Sequence, residues 1–260
     1  MPYMTYSQLK DSAKFRLSPV IGKLVGVTAI FYALKLIAGR FSSVFGLFTD
    51  SFALQVTLSS LFLILANIIV FMLEIGFHCL MLKLYCGRPI STGDLFYAFT
   101  AQTKTALGLT TVRSLLSTLP LLPAYVLFQR VEFGMENIAL SSDLSASTAS
   151  LPPELMNLMS IALFCYTPAL VLVTMLDLVY SQTYYLMLDF PSFSIKQLFQ
   201  NSRLLMRGHK GRFFYIHVCI LPIFLIGGLF TCGIGLLWIT PFVYAVQTEF
   251  YLDLVTKRGL

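Results

Sequence analysis

Six residues of this 260-residue chain combine side chains that carry protons or bind cations with positions inside long apolar runs. They are Glu74, His78, Gln182, Tyr184, Gln247 and Glu249. An ionisable side chain at the centre of a bilayer costs roughly 3 kcal/mol, so its presence there suggests a function. Carboxylates supply negative charge, and an imidazole changes its charge near neutral pH. Glu74, His78 and Glu249 together have the chemistry of a proton or cation site.

Three similar strings place some of these residues at corresponding positions. They are "GFHCLMLKL" (76–84), "QTYYLMLD" (182–189) and "QTEFYLDL" (247–254), which align His78, Tyr184 and Glu249. If the three helices pack about a pseudo-axis, these side chains converge, and Gln182 and Gln247 lie about one turn away. Polar residues in membrane helices also hydrogen-bond between helices without any further role. The sequence leaves a ligand site and a packing role both open.

Motifs for catalysis and for metal binding are missing from the sequence. The chain contains no G-x-x-x-x-G-K-[ST], no G-x-S-x-G and no H-E-x-x-H string. Its five cysteines have no zinc-type spacing, and most fall inside apolar runs, where a cysteine behaves as a small hydrophobic residue. We therefore expect no metal, no cofactor and no catalytic residue, which favours a non-enzymatic protein.

The elements that must position these residues are membrane helices. The chain is 57% hydrophobic and 12% charged, whereas soluble domains carry about 25% charged residues. A bilayer-spanning helix needs roughly 20 apolar residues. Segments that meet this requirement lie at about 19–39, 54–83, 105–128, 156–188, 213–230 and 234–254. The short link "TCGIG" (231–235) joins the last two as an antiparallel hairpin.

A basic amphipathic helix is predicted just before the fifth apolar segment. It ends near Gly208 and Gly211, within the string "NSRLLMRGHKGRFFYIHV" (201–218). Ser192 or Ser194 is a good N-cap for it. At 100° per residue, the basic residues fall on one side of this helix and the apolar residues on an adjacent side. We expect the basic residues, together with Arg212, to contact lipid headgroups. The predicted headgroup contacts are Lys196, Arg203, Arg207, Lys210 and Arg212.

Similar but weaker stretches occur at 6–19 and 91–104, each before a pair of apolar segments. The prediction is therefore an all-α polytopic membrane protein with six transmembrane helices. These form three hairpins, each preceded by an interfacial helix that we call an elbow. We expect one integral membrane domain over residues 1–260, with repeats at 6–83, 91–188 and 192–254.

The distribution of lysine and arginine predicts the orientation. If the elbows are cytoplasmic, 14 of the 18 cations lie on that side, and both termini are cytoplasmic. The net charge of +6 is spread beside apolar segments, which favours anionic lipid headgroups as partners over nucleic acid. A protein partner or a second copy of the chain is also compatible with the sequence.

One predicted outer loop, about 129–155, is long and acidic. Its middle is rich in Ser, Thr and Ala, and "LPPE" precedes the next helix. It is either a lid over an outward cavity or a tolerated connection.

The C-terminal part of the chain resembles a known family. The strings "NSRLLMRGHKGRFF", "TCGIGLLWITPF" and "EFYLDL" are similar to those of six-helix bacterial membrane proteins, common in Gram-positive species and labelled as a domain of unknown function. The matching residues are Ser202, Arg203, Met206, Gly208, Lys210, Phe213, Thr231, Gly233, Gly235, Trp238, Pro241, Phe250 and Tyr251. The resemblance implies a six-helix protein of the bacterial cytoplasmic membrane and implies no activity.

Three functions remain as hypotheses. The leading one is non-enzymatic handling or sensing of a small molecule, peptide or lipid, by a transporter-like or accessory subunit. The second is a membrane-embedded enzyme acting on lipid headgroups, with Glu74 and His78 as acid and base. The third is a structural partner of a membrane complex.

Overall fold

The protein is helical throughout the part that a computed structural model describes, which is residues 3–40, 51–141 and 152–258. No strand occurs among these residues. Their helices are α1 (Tyr6–Leu17), α2 (Ile21–Arg40), α3 (Phe52–Tyr85), α4 (Tyr97–Thr100), α5 (Thr103–Thr118), α6 (Leu122–Ser141), α7 (Pro153–Tyr180), α8 (Thr183–Asp189), α9 (Ile195–Leu205), α10 (Lys210–Phe230) and α11 (Leu236–Arg258). The predicted all-α class is confirmed.

Five helical runs are long and apolar enough to cross a membrane. They are Tyr6–Ile37, Phe52–Tyr85, Thr103–Met135, Pro153–Asp189 and Lys210–Phe230. Each buries only between 17% and 28% of its most apolar window, so most of that apolar surface faces outward. Lipid is the environment in which such a surface is stable.

The sixth predicted segment, 234–254, forms α11 but is not among these five runs. The reason lies in its composition, because its C-terminal half carries Glu249, Asp253, Lys257 and Arg258. These charges lower the mean hydropathy of the helix.

The three predicted elbows differ in length from the expectation. The first is α1, which continues through a 3-10 turn, Ser18–Val20, into α2. The second is shorter than the predicted four turns, because a 3-10 segment, Thr92–Phe96, and α4 are followed by bends at Ala101 and Gln102. Both stretches nevertheless precede long helices, as the pattern indicates.

The third elbow is α9, which Ser194 caps and which ends at Leu205. Gly208 then adopts a φ of +86°, a left-handed conformation that glycine tolerates, and α10 begins at Lys210. The prediction that Arg207 and Lys210 lie on the same helix as Lys196 is therefore wrong. The chain turns between them.

The predicted outer loop at 129–155 is also wrong in its first part. Helix α6 continues through Ser141, because residues 129–141 contain no proline and only one glycine to interrupt it. The middle of that loop, residues 142–151, lies outside the described residues, and so does the proposed lid.

The chain divides into two compact units. Unit 1 comprises residues 1–37, 68–111 and 177–260, and unit 2 comprises residues 38–67 and 112–176. The buried core of unit 1 includes Leu9 and Leu24 of the first two helices, Ile75 and Leu80 of α3 and Ala245 of α11, each with no exposed surface. This core holds the polar residues described below.

Contacts between α10 and α11 show that these two helices of unit 1 run antiparallel. The rings of Phe213 and Phe250 lie 4.9 Å apart, and a Cβ at Gly227 would lie 3.6 Å from Cγ1 of Ile239. As residue numbers rise along α10, the partners on α11 fall. Gly233 in the link has a φ of +87°, which explains why glycine occupies it.

Unit 2 is held by contacts among α3, α6 and α7. Phe52 packs on Phe133 at 5.6 Å between ring centroids, and Phe128 meets Tyr166 edge-on at 6.3 Å. Phe164 on α7 is 79% exposed, which fits a surface in contact with lipid.

Candidate functional site

His78 lies in an aromatic pocket of unit 1. Its imidazole is only 6% exposed and contacts the rings of Tyr184, Tyr185 and Tyr244, with centroid distances of 5.4, 4.5 and 5.0 Å. These tyrosines come from α8 and α11, while His78 comes from α3. The structure therefore brings His78 and Tyr184 together, as the alignment of the three strings predicts.

Hydrogen bonds between α8 and α11 hold this pocket in place. The hydroxyls of Tyr185 and Thr248 lie 2.9 Å apart, and the Tyr251 hydroxyl donates to the Asp189 carboxylate at 2.7 Å. The rings of Tyr185 and Tyr251 stack at 4.7 Å, nearly parallel. Pairs of this kind contribute about 0.5–1.5 kcal/mol beyond the area they bury, so this pair stabilises the packing of α8 on α11.

Glu249 has partners on α1, which the sequence analysis does not anticipate. The Ser12 hydroxyl donates to its carboxylate, and Nε of Arg16 lies 3.4 Å from the same oxygen. The Arg16 guanidinium also covers the Tyr85 ring at 4.7 Å. Because Ser12 and Arg16 are four residues apart, they share one face of α1 and close on α11 together.

The predicted glutamine positions are both buried or half-buried. Gln182 has no exposed surface and donates from Nε2 to the Ser181 hydroxyl at 2.8 Å. Its Oε1 has no hydrogen-bond partner among the residues that the structure describes. Gln247 lies elsewhere on α11, with its Nε2 3.2 Å from Nε2 of His217.

Glu74 is half-buried on α3 and close enough to the Tyr244 hydroxyl to act on it electrostatically. Glu74 and His78 are four residues apart and share one face of α3. Tyr244 of α11 therefore lies near both side chains. Tyr244 itself is a residue that sequence reasoning missed. Its position three residues before Gln247 on α11 places it about one turn from the aligned string, and this was the available signal.

Asp253 forms an ion cluster at the C-terminal end of α11. Its carboxylate accepts from Nη2 of Arg212 at 2.6 Å, from Nζ of Lys257 at 2.5 Å and from the backbone N–H of Met4 at 3.1 Å. Burial alone would raise the pKa of the Asp253 carboxyl, but these hydrogen bonds outweigh it and lower the pKa. The cluster ties the residues before α1 to α10 and α11.

Residues 1–258 match the family described as protein of unknown function (DUF975). The chain belongs to the DUF975 family. No curated protein and no solved structure matches the chain. Membership is consistent with the apolar helices of a membrane protein and assigns no activity.

The predicted headgroup residues of this DUF975 chain fall into two groups. Lys196, Arg203, Arg207 and Lys210 are exposed. Arg212 instead has a side chain only 21% exposed, which donates to the Met4 carbonyl and to Asp253. Its guanidinium also lies 4.9 Å from the Phe250 ring. This partner set makes Arg212 an internal tie between helices.

No cluster of three or more His, Cys, Asp or Glu side chains suited to a metal ion occurs within residues 3–40, 51–141 and 152–258. The interactions at Glu249 are an ion pair and a hydrogen bond between two helices. A buried carboxylate, that of Glu249, is paired with the partly exposed Arg16. Together with the hydrogen bond from Ser12, this ion pair joins α1 to α11.

Proposed function

We propose that this DUF975 protein is a multi-pass protein of the bacterial cytoplasmic membrane that handles or senses a small molecule, peptide or lipid. It acts as a transporter-like or accessory subunit. The observation that carries the proposal is the buried Glu249 carboxylate, which accepts from the Ser12 hydroxyl and pairs with Arg16. An ionisable side chain inside a membrane helix is costly, which makes Glu249 a candidate for a functional role.

The mechanism that fits is an exchange of cations at Glu249. The Arg16 side chain is 45% exposed, whereas that of Glu249 is 7% exposed. A ligand with an ammonium or guanidinium group displaces Arg16 from the carboxylate. Displacement breaks this contact between α1 and α11.

We also propose six membrane crossings in three hairpins. The first half of α11, before Glu249, contains no charged residue, and its antiparallel contacts with α10 support a return across the bilayer. With six crossings both termini lie on one side, and the excess of cations makes that side cytoplasmic.

Exposed side chains on the elbows support an interfacial position for them. On α9, Leu198, Ser202 and Leu205 are buried while Lys196 and Arg203 are exposed. On α1, Phe15 is 84% exposed and lies between Lys14 and Arg16. An exposed aromatic residue between two cations is suited to a layer of anionic headgroups.

The strings "NSRLLMRGHKGRFF" and "TCGIGLLWITPF" are proposed as signatures of the family in Gram-positive bacteria. Gly208 and Gly233, which fall in them, both have positive φ values. Any other residue would be strained at these positions. The conformation therefore gives a physical reason for glycine in each string.

Binding measurements on purified protein test the cation exchange. Thermal unfolding is recorded with a panel of amines, basic peptides and lipids, for wild type, Glu249→Gln and the matched control Asp94→Asn. Asp94→Asn also removes an ion pair, with Lys83 at 2.6 Å, but leaves Ser12, Arg16 and Glu249 unchanged. We expect a cationic ligand that raises the Tm of wild type and of the control but not of Glu249→Gln.

A second variant keeps the test decisive if Glu249→Gln unfolds. Arg16→Gln removes the competing cation and leaves the carboxylate, so the same ligand should bind roughly two- to five-fold more tightly, as the energy of a partly exposed ion pair predicts. Equal Tm shifts in Glu249→Gln and wild type, or weaker binding by Arg16→Gln, would refute the exchange.

A further inference from the structure

Unit 2 contains a cavity of about 240 Å³ that is separate from the polar site of unit 1. Its walls come from α3, α5, α6 and α7 and include Leu63, Phe128 and Tyr166. All of the lining residues belong to unit 2. The cavity is partly open, so a small molecule has access to it.

Two prolines explain why the helices leave this space. Pro120 lies in a 3-10 turn, Leu119–Leu121, that separates α5 from α6, and Pro123 follows in the first turn of α6. Neither residue has an N–H to donate, so a regular helix is interrupted here. Leu121 and Leu122, which flank the interruption, both line the cavity.

A small set of polar groups lies in this otherwise apolar wall. The side-chain amide of Asn67 donates to the Thr118 hydroxyl at 3.2 Å, and both residues line the cavity. Thr118 is only 4% exposed. Across the wall, the Tyr125 hydroxyl accepts from Nε2 of Gln129 at 3.3 Å. Apolar walls with a few fixed polar groups are typical of small-molecule sites.

The volume restricts the ligand. A dry apolar cavity of about 150 Å³ accepts benzene, and pockets for drug-sized ligands begin at about 300 Å³. A cavity between these sizes accommodates a single ring or a short alkyl chain and excludes a whole phospholipid. The side chains of Asn67 and Thr118 offer both hydrogen-bond donors and acceptors. A ligand hydroxyl group, which also donates and accepts, is complementary to them.

We propose that this cavity binds a lipophilic alcohol or phenol, whose apolar part fills the space between Leu63, Phe128 and Tyr166 and whose hydroxyl group bonds to Asn67 and Thr118. Glu249 does not line this cavity, so tests of the cavity and tests of the cation exchange have independent outcomes. The protein thereby takes up a membrane-dissolved molecule from within the bilayer.

Photolabelling of the full chain in lipid nanodiscs tests the proposal, with n-octanol that carries a diazirine as the probe. We expect label on the peptides that contain Tyr125, Phe128 and Tyr166, and protection by excess n-octanol. Leu63→Trp fills the cavity and should remove the label. The matched control Leu65→Trp changes a residue two positions away that is 58% exposed and does not line the cavity, so it should keep the label.

Thr118→Val tests the hydroxyl contact without changing the shape of the wall. It should raise the n-octanol concentration needed for half-protection by roughly three- to ten-fold, as the loss of one hydrogen bond predicts. Label spread evenly over lipid-facing peptides, or label unchanged in Leu63→Trp, would overturn the proposal. Unchanged protection in Thr118→Val would overturn the assignment of a hydroxyl-bearing ligand.

Discussion

Individual charged residues in this protein are held by partners that lie far away in the sequence. Asp253 accepts from Arg212, from Lys257 and from the backbone of Met4, which is 249 residues away. Its side chain is 3% exposed. Removal of one member of such a buried set leaves the other charges without compensation. Asp253 is therefore expected to matter for stability more than an exposed acidic residue.

The first prediction concerns Asp253→Asn. We expect a loss of about 3 kcal/mol at pH 7, because the Arg212 guanidinium then lacks its carboxylate partner. The folded-state pKa of Asp253 is lowered, so its stabilisation is fully present above about 3.9, the pKa of an unfolded aspartate, and is lost as the pH falls through the folded-state value. Thermal unfolding of wild type and variant between pH 3 and pH 7 measures both effects.

Asp11→Asn is the control for this prediction. Asp11 is exposed on α1, where it accepts from the Ser7 hydroxyl at 3.4 Å. Its replacement should change the Tm little. A Tm difference between wild type and Asp253→Asn that stays constant down to pH 3 would contradict the assigned linkage.

Helices in unit 1 approach one another closely where glycine replaces a side chain. A Cβ on Gly76 would overlap the backbone carbonyl of Leu95 and lie 2.8 Å from its Cα. The Lys83 ammonium pairs with Asp94 beside this contact, at 2.6 Å. Both contacts attach the segment of the predicted second elbow to α3. Its position therefore depends on the absence of a Cβ at Gly76 and on the ion pair between Lys83 and Asp94.

Gly76→Ala is expected to destabilise the protein by about 3 kcal/mol or more, since backbone atoms rather than a flexible side chain must move. Gly26→Ala on α2 is the matched control, because its added Cβ meets nothing within 4 Å. That change should be neutral or stabilising by up to about 1 kcal/mol, as helix propensity predicts. Thermal unfolding in one detergent compares the two, and equal Tm values would refute the close approach of α3 and Leu95.

At the scale of the whole molecule, the proposed sixth crossing, by α11, decides on which side of the membrane the C-terminus lies. With the five apolar runs alone, the two termini would lie on opposite sides of the membrane, and a sixth crossing returns the C-terminus to the side of the N-terminus. Two native cysteines report on this. Cys86 follows α3 and Cys232 lies in the link between α10 and α11, and both are exposed.

An impermeant maleimide should label Cys232 in intact cells and Cys86 only after the membrane is permeabilised. In a background without other cysteines, Thr256→Cys on α11 and Lys196→Cys on α9 should both behave as Cys86 does. Both positions are exposed, so burial does not hide them. Labelling of Thr256→Cys in intact cells would contradict the proposed sixth crossing. Labelling of Lys196→Cys in intact cells would contradict the cytoplasmic position of α9.

Local features of this protein follow from the sequence because they depend on neighbouring residues. Apolar runs long enough for a bilayer, the cap at Ser194 and the proline interruption near Pro120 all depend on side chains within a few positions. The continuation of α6 to Ser141 differs from the prediction, because a polar composition favours a loop only where something interrupts the helix, and residues 129–141 contain no proline.

Contacts between distant segments were decided only by the tertiary structure. The aligned strings predict that His78, Tyr184 and Glu249 converge, and His78 does meet Tyr184, but Glu249 pairs with Ser12 and Arg16 of the predicted first elbow. Arg212, predicted to contact lipid, closes on Asp253. Which cation meets which carboxylate depends on how α1, α10 and α11 pack in three dimensions, and the periodicity of one helix carries no information about the rotation of its neighbour.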